Sequence, residues 1–231
     1  MPPRNAAADP APNEGTWRDL AVARSLDPAR ARAEKRVQRF LDAALELMQK
    51  TPDKEFTVQE VVERSGQSLR SFYQYFAGKH ELLLALLEET VRSTAEQVRA
   101  QVAGEKTSID RLHRFATEYF LVCRPSASKK PGAKGPSPAM SEFAQQLLTS
   151  HPDEASRAFG PVVQLLSELL ADAEREGALR PGLQHGHIAG VVVQAIMFTA
   201  FATTISGRAA RQSGREAAEE LWELILHGIA R

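Results

Sequence analysis

The sequence predicts an all-α protein in two parts, an N-terminal three-helix unit joined by a long helix to a C-terminal helical bundle. Three observations lead there. Apolar residues recur at steps of three and four along most of the 231 residues, with no alternating strand pattern. Glycine and proline clusters cut that pattern into about nine helical segments. Residues 57–81, TVQEVVERSGQSLRSFYQYFAGKHE, read as two short helices across a tight glycine turn, followed by a third helix start.

Residues 1–28 hold Pro2, Pro3, Pro10, Pro12 and Pro28 among alanines and scattered charges. They read as a disordered N-terminal extension, carrying at most a short helix around Trp17 to Arg24. Such a segment is either a solvated tail or an arm whose arginines touch DNA. An amphipathic helix begins at Ala31, with Val37, Phe40, Leu41, Ala44, Leu45 and Met48 on one face and Arg36, Arg39, Asp42, Glu46 and Gln49 on the other. Thr51-Pro52-Asp53 ends it.

Thr57 and Glu60 form the Thr-x-x-Glu capping box, which satisfies orphan amides at a helix start. Val58, Val61 and Val62 supply the apolar face, and Gly66 ends the helix where a left-handed residue is needed. Ser68 caps the next helix, whose apolar face is Leu69, Phe72 and Phe76. Arg70, Ser71 and Gln74 occupy its other face, beside Tyr73 and Tyr75. A helix, a glycine turn and a second helix with a polar, aromatic outer face is the pattern of a DNA reader. Phe56 and the valines are expected to close a core with Phe72 and Phe76.

The fourth helix runs from Lys79 to about Ala103, long enough to link two domains. Ser108 to Cys123 is the fifth. Four prolines and two glycines make residues 124–138 a loop. Met140 to Ser150 and Asp153 to Gly177 follow, the latter expected to bend or break at Gly160-Pro161. An apolar helix from His185 to Ser206 and a last one from Arg215 to His227 complete the chain. The reading divides it into the extension 1–28, a helix-turn-helix domain 29–78 and a helical domain 79–231.

Lysine plus arginine equal aspartate plus glutamate at 29 each, so bulk charge lends no support to nucleic-acid binding. A sequence-specific reader needs only a local basic surface, and Arg30, Arg32, Lys35, Arg36 and Arg39 cluster against Glu34 alone. The single cysteine, Cys123, excludes an intramolecular disulfide and fits a reducing cytoplasm. No signal peptide is expected, since the N-terminus has no apolar core. Ile188 to Ile205 approaches membrane-spanning length, yet Gln194, Thr199, Thr203 and Thr204 favour a central buried helix and no membrane partner.

Arg36 to Val91 resembles the N-terminal domain of the tetracycline-repressor (TetR-like) family of bacterial regulators. The resemblance rests on Ser68-Leu69-Arg70-Ser71-Phe72-Tyr73-Gln74-Tyr75-Phe76-Ala77-Gly78-Lys79-His80-Glu81-Leu82. Phe72, Tyr73, Tyr75, Phe76, Lys79 and Leu82 fit the family pattern, with Phe72 replacing the common leucine. Gln67 stands where a buried aliphatic is usual, and Arg70 where glycine or proline is frequent, which implies a different base preference. The resemblance implies a dimeric, ligand-responsive repressor reading a pseudo-palindromic DNA operator. Leu69, Arg70, Ser71 and Gln74 would meet base edges, while Thr57, Tyr73, Tyr75 and Lys79 would bond phosphates. The 79–231 domain would sense a ligand and pair through its last two long helices, with Ala195, Ala200 and Ala202 allowing close approach.

Phe115, Tyr119, Cys123, Phe143, Phe159, Met197, Phe198 and Phe201 are the candidate lining of a pocket for a small apolar effector, or else plain core. Lys129, Lys130 and Lys134 either greet an acidic group at its mouth or sit on a solvated loop. No cofactor is expected. His185-x-His187 is the one close histidine pair, with no carboxylate or cysteine near in sequence, and no metal site is assigned. No phosphate loop, nucleophile elbow or carboxylate pair points to an enzyme. A DNA-associated protein governed by protein contacts, sensing no metabolite, is the alternative reading.

Overall fold

The computed structural model describes residues 17–50, 55–124, 137–205 and 213–229. Among them lie helices α1 (Trp17–Lys50), α2 (Val58–Ser65), α3 (Leu69–Tyr73), α4 (Lys79–Val102), α5 (Ser108–Cys123), α6 (Pro138–Ser150), α7 (Pro152–Arg175), α8 (His185–Ile205) and α9 (Gly214–Ile229). No β-strand occurs among the described residues. The fold class is the all-α one that helical spacing predicts.

Two compact units divide the chain, one ending at Arg39 and one running from Phe40 onward. In the first, α1 starts at Trp17, so part of the expected extension is helical and Pro28 lies inside a helix. The alanines, arginines and leucine between Leu20 and Ala33 are strong helix formers, which outweighs a single proline. Arg30 Nε bonds Glu34 Oε1 at 2.8 Å one turn on. The rest of that extension, residues 1–16, lies outside the described residues, as do 125–136 with Lys129, Lys130 and Lys134.

In the second unit, Phe40, Ala44, Met48, Phe56, Val61, Val62, Phe72 and Phe76 are buried. Phe40 meets Phe72 edge-on with ring centroids 5.4 Å apart, and Phe76 sits 5.3 Å from Phe72. Edge-to-face pairing suits the ring quadrupoles and adds to the burial of three large rings. Leu45 is 42% exposed and does not join this core. Arg64 on α2 forks onto Glu46 of α1, tying the two helices on the solvent side.

α5 runs through the second bundle, packed against α4, α7, α8 and α9. Leu112, Phe115, Phe120, Leu165, Leu170 and Ile196 are fully buried there. α7 continues through Pro161, contrary to the expected break at Gly160-Pro161. Val162, Leu165, Leu166, Leu169 and Leu170 bury one unbroken stripe, and that packing holds the helix together across the proline. Arg99–Glu168 and Arg111–Glu176 bridges, each 2.8 Å, fasten α4 and α5 to the C-terminal half of α7 and the residue that caps it.

α8 presents two faces. Ala189, Val193, Ile196, Met197 and Ala200 point inward, while Val191, Gln194, Ala195, Phe198 and Ala202 recur at steps of three and four on the outside. Its most apolar window, His185–Ala202, is long and apolar enough to cross a membrane, yet only 22% of it is buried within the chain. The expected central buried helix is therefore half surface. Ala200 is fully buried in its own bundle and cannot serve close approach of a second chain, whereas Ala195 and Ala202 are exposed.

Candidate nucleic-acid interface

The local sequence builds the reader as expected. Thr57 is the N-cap of α2: its Oγ1 accepts from the Glu60 amide at 3.2 Å, and Glu60 Oε2 accepts from the Thr57 amide at 2.7 Å. Gly66 ends the helix at φ 65, the left-handed region where a side chain is strained, and its amide reaches the Glu63 and Val62 carbonyls. Ser68 then caps α3, accepting from the Ser71 amide at 3.1 Å. Turn chemistry alone fixes where α3 starts.

Phe72 is the anchor of α3, fully buried on Phe40, and it decides which residues face out. Arg70 and Gln74 are exposed, Leu69 is 43% exposed and Tyr73 is 57% exposed. Leu69 thus leaves the apolar face assigned to it by spacing and joins the outer surface. The helix is only five residues long, so its first residue lies at the end of the buried stripe rather than within it. Ser71 turns its Oγ inward, buried with no hydrogen-bond partner among the described residues. Tyr75 is half-buried. Tyr73 stands edge-on to Phe72 at 5.4 Å, which restrains its ring.

Lys79 opens α4 with its Nζ 3.2 Å from Glu55 Oε2 and 4.9 Å from the Phe56 ring centroid. Glu81 Oε2 accepts from the Ala77 amide at 2.6 Å and helps close that helix start. Thr57 caps the start of α2, Arg70 lies in the first turn of α3 with Tyr73 and Gln74 at its end, and Lys79 opens α4.

Residues 40–86 match the family model described as bacterial regulatory proteins, tetR family. Those residues carry the family's N-terminal domain. The chain is 25% identical over 85 residues to an HTH-type transcriptional regulator, YvdT of Bacillus subtilis (strain 168). That match covers 37% of this chain and 44% of the relative's length. In fold the chain is similar to FadR from Bacillus subtilis, solved in complex with stearoyl-CoA, with 16% identity, a TM-score of 0.61 and coverage of 83% and 98% of the two chains. Thermus thermophilus FadR, a TetR-family repressor solved with lauroyl-CoA, gives 19% identity, a TM-score of 0.61 and coverage of 83% and 94%.

An apolar void of about 10 Å³, the room of one water molecule, is lined by Leu112, Phe115, Leu166, Leu170, Trp222 and Ile229 among others. Of the expected pocket residues only Phe115 reaches it. Tyr119 stacks on Phe115 at 5.7 Å and Phe159 is buried. Met197 is also buried, while Phe201 is half-buried. Phe143 packs on His80 instead, and Phe198 is 40% exposed on α8. Burial pushes the Cys123 thiol up to about 12, against the opposing hydrogen bond with Tyr119. Burial also raises Tyr119 well above its usual range. A thiol so held is a poor nucleophile at neutral pH. The leucines and Trp222 that line the void belong to the ordinary helical stripes of α5, α7 and α9.

Proposed function

We propose that this transcriptional regulator is a ligand-responsive repressor that binds a pseudo-palindromic operator as a homodimer in the cytoplasm. The observation that carries this is the outward face of α3, where Leu69, Arg70, Tyr73 and Gln74 stand exposed on a helix held by Phe72. Arg70 reads guanine through its forked guanidinium, and Tyr73, Tyr75, Thr57 and Lys79 hold phosphates. Residues 29–78 form the reader and 79–231 the sensing and dimerising part, after an N-terminal extension of residues 1–28. The exposed stripe on α8, with Leu224 of α9 at 73% exposure, supports pairing of two chains through these last two helices. Two such chains carry their recognition helices to successive major grooves.

A small apolar effector releases the DNA. The bundle interior is apolar around its small void, and the two FadR structures of this fold hold acyl-CoA molecules. The compact form is the one without effector; a ligand that prefers an opened bundle shifts α4 and takes the heads out of register. One observation favours a second reading: the void between α5, α7 and α9 among the described residues, about 10 Å³, is itself too small for a metabolite. In that reading the chain is a DNA-binding partner protein governed by protein contacts.

The test is a titration of the protein onto its own upstream DNA, wild type beside Arg70→Ala and Tyr73→Phe, at two salt concentrations. Tight, salt-sensitive binding that Arg70→Ala makes less selective supports the operator reading; equal weak binding by all three overturns it for that DNA. Melting the protein with a panel of apolar carboxylates, thioesters and drugs separates the two modes of control. A ligand that raises Tm and weakens DNA binding supports the sensor; a panel without effect favours the partner protein.

A further inference from the structure

Sequence spacing hides a side-chain cluster that the fold assembles. His80, His151 and Glu154 each bring a ligand atom to within 4.8 Å of the other two. His80 is the second residue of α4, His151 immediately precedes α7, and Glu154 lies in the first turn of α7. His80 Nε2 is 2.7 Å from Glu154 Oε2, and His151 Nδ1 is 4.0 Å from the same oxygen. The imidazole centroids stand 4.9 Å apart. Phe143 covers one side of His80 at 5.5 Å, so the cluster has an apolar wall and an open front.

Two imidazoles and one carboxylate, with room for water, make the donor set of a zinc-type site with an open position. A tetrahedral ion with bonds of about 2.1 Å needs ligand atoms roughly 3.4 Å apart. The side chains are 42%, 47% and 29% exposed, so small rotations in solvent bring them to that spacing without disturbing the core. We propose that His80, His151 and Glu154 bind a borderline divalent transition cation of the zinc type, with water completing its coordination. The ion replaces the His80–Glu154 hydrogen bond and joins the first turn of α4, just beyond the recognition helix, to the α6–α7 junction. Arg157 lies near enough to act on Glu154 and opposes the added positive charge. The site needs neither DNA nor an organic effector, so its success or failure is separate from the operator reading.

The experiment uses the full chain, stripped with a chelator and titrated with Zn(II) alone by calorimetry, then with Co(II) by visible absorption. The expected result is one ion per chain, bands of four-coordinate Co(II), and a Tm that rises with Zn(II). His80→Gln, His151→Gln and Glu154→Gln should each weaken binding by at least about tenfold. The control is His185→Gln: His185 Nε2 lies 2.7 Å from Glu174 Oε2 without hydrogen-bond alignment, a histidine–carboxylate pair outside the cluster. That variant should bind as wild type. Because the three ligands lie at the surface, unchanged helix content in the variants checks that the fold is kept. No binding by wild type overturns the proposal, as does binding retained in His80→Gln and His151→Gln or lost in His185→Gln.

Discussion

At the scale of single residues, what a side chain can do here follows from whether its neighbours are water or apolar packing. Arg70 is exposed on a helix whose other face is locked, so its fork is available to a base edge and its loss should relax sequence preference rather than abolish binding. Glu46 shows the electrostatic counterpart. Hydrogen bonds from Arg64, then Lys50, hold its carboxyl at about 2 rather than 4.5. A lowered carboxylate stabilises the fold fully above its unfolded value, and that contribution disappears as pH falls through the folded one. Melting temperature should therefore drop more steeply in wild type than in Glu46→Gln between roughly pH 4.5 and pH 2; parallel acid limbs would contradict this. Cys123 gives the opposite case, with burial holding its thiol protonated. Iodoacetamide at pH 7.5 should label it slowly in the native protein and readily once the chain is unfolded, and fast native labelling would overturn that environment.

Among the elements, α2 and α3 are too short to stand alone and depend on their ends. Removing the Thr57 hydroxyl breaks both hydrogen bonds of the capping box that involve it, so Thr57→Ala should cost about 1 kcal/mol in a denaturant titration. Gly66→Ala meets no atom within 4 Å but forces a Cβ into a left-handed residue, and should cost about 1–2 kcal/mol by the same measurement. An unchanged midpoint in Gly66→Ala would mean that the turn relaxes to another conformation. These ends were legible in the sequence because a cap is a contact between residues three or four apart. Proline gave weaker guidance: Pro28 and Pro161 both lie inside helices, one among strong helix formers and the other beneath a buried leucine stripe.

For the whole molecule, the decisive feature is the outer stripe of α8. Val191 at 54%, Phe198 at 40% and Leu224 of α9 at 73% exposure form more apolar surface than one chain covers. If two copies pair there, Val191→Glu with Leu224→Glu should give a monomer by sedimentation and lose most operator affinity, because each half-site is then held alone. A double variant that stays dimeric would place the interface elsewhere. His80 joins this scale too, since through Phe143, His151 and Glu154 it links the start of α4 to the α6–α7 junction. Movement at the α6–α7 junction thus has a direct route to the start of α4.

The sequence by itself determined what depends on near neighbours and on periodicity. It supplied the helical class, the caps and glycine turn of the reader, Phe72 and Phe76 as its core, and the polar face carried by Arg70 and Gln74. Those features repeat within one or two turns, so they survive in a linear string. Only the tertiary structure decided how long stripes are shared out. It turned Leu69 outward, sent Phe143 to His80 and left Phe198 in solvent, while Leu112 and Trp222 came to line the small void. An apolar helix such as α8 reads the same whether its neighbour is its own bundle or another chain. The gathering of His80 with His151 and Glu154 was equally hidden, because more than seventy residues separate groups that end a hydrogen bond apart.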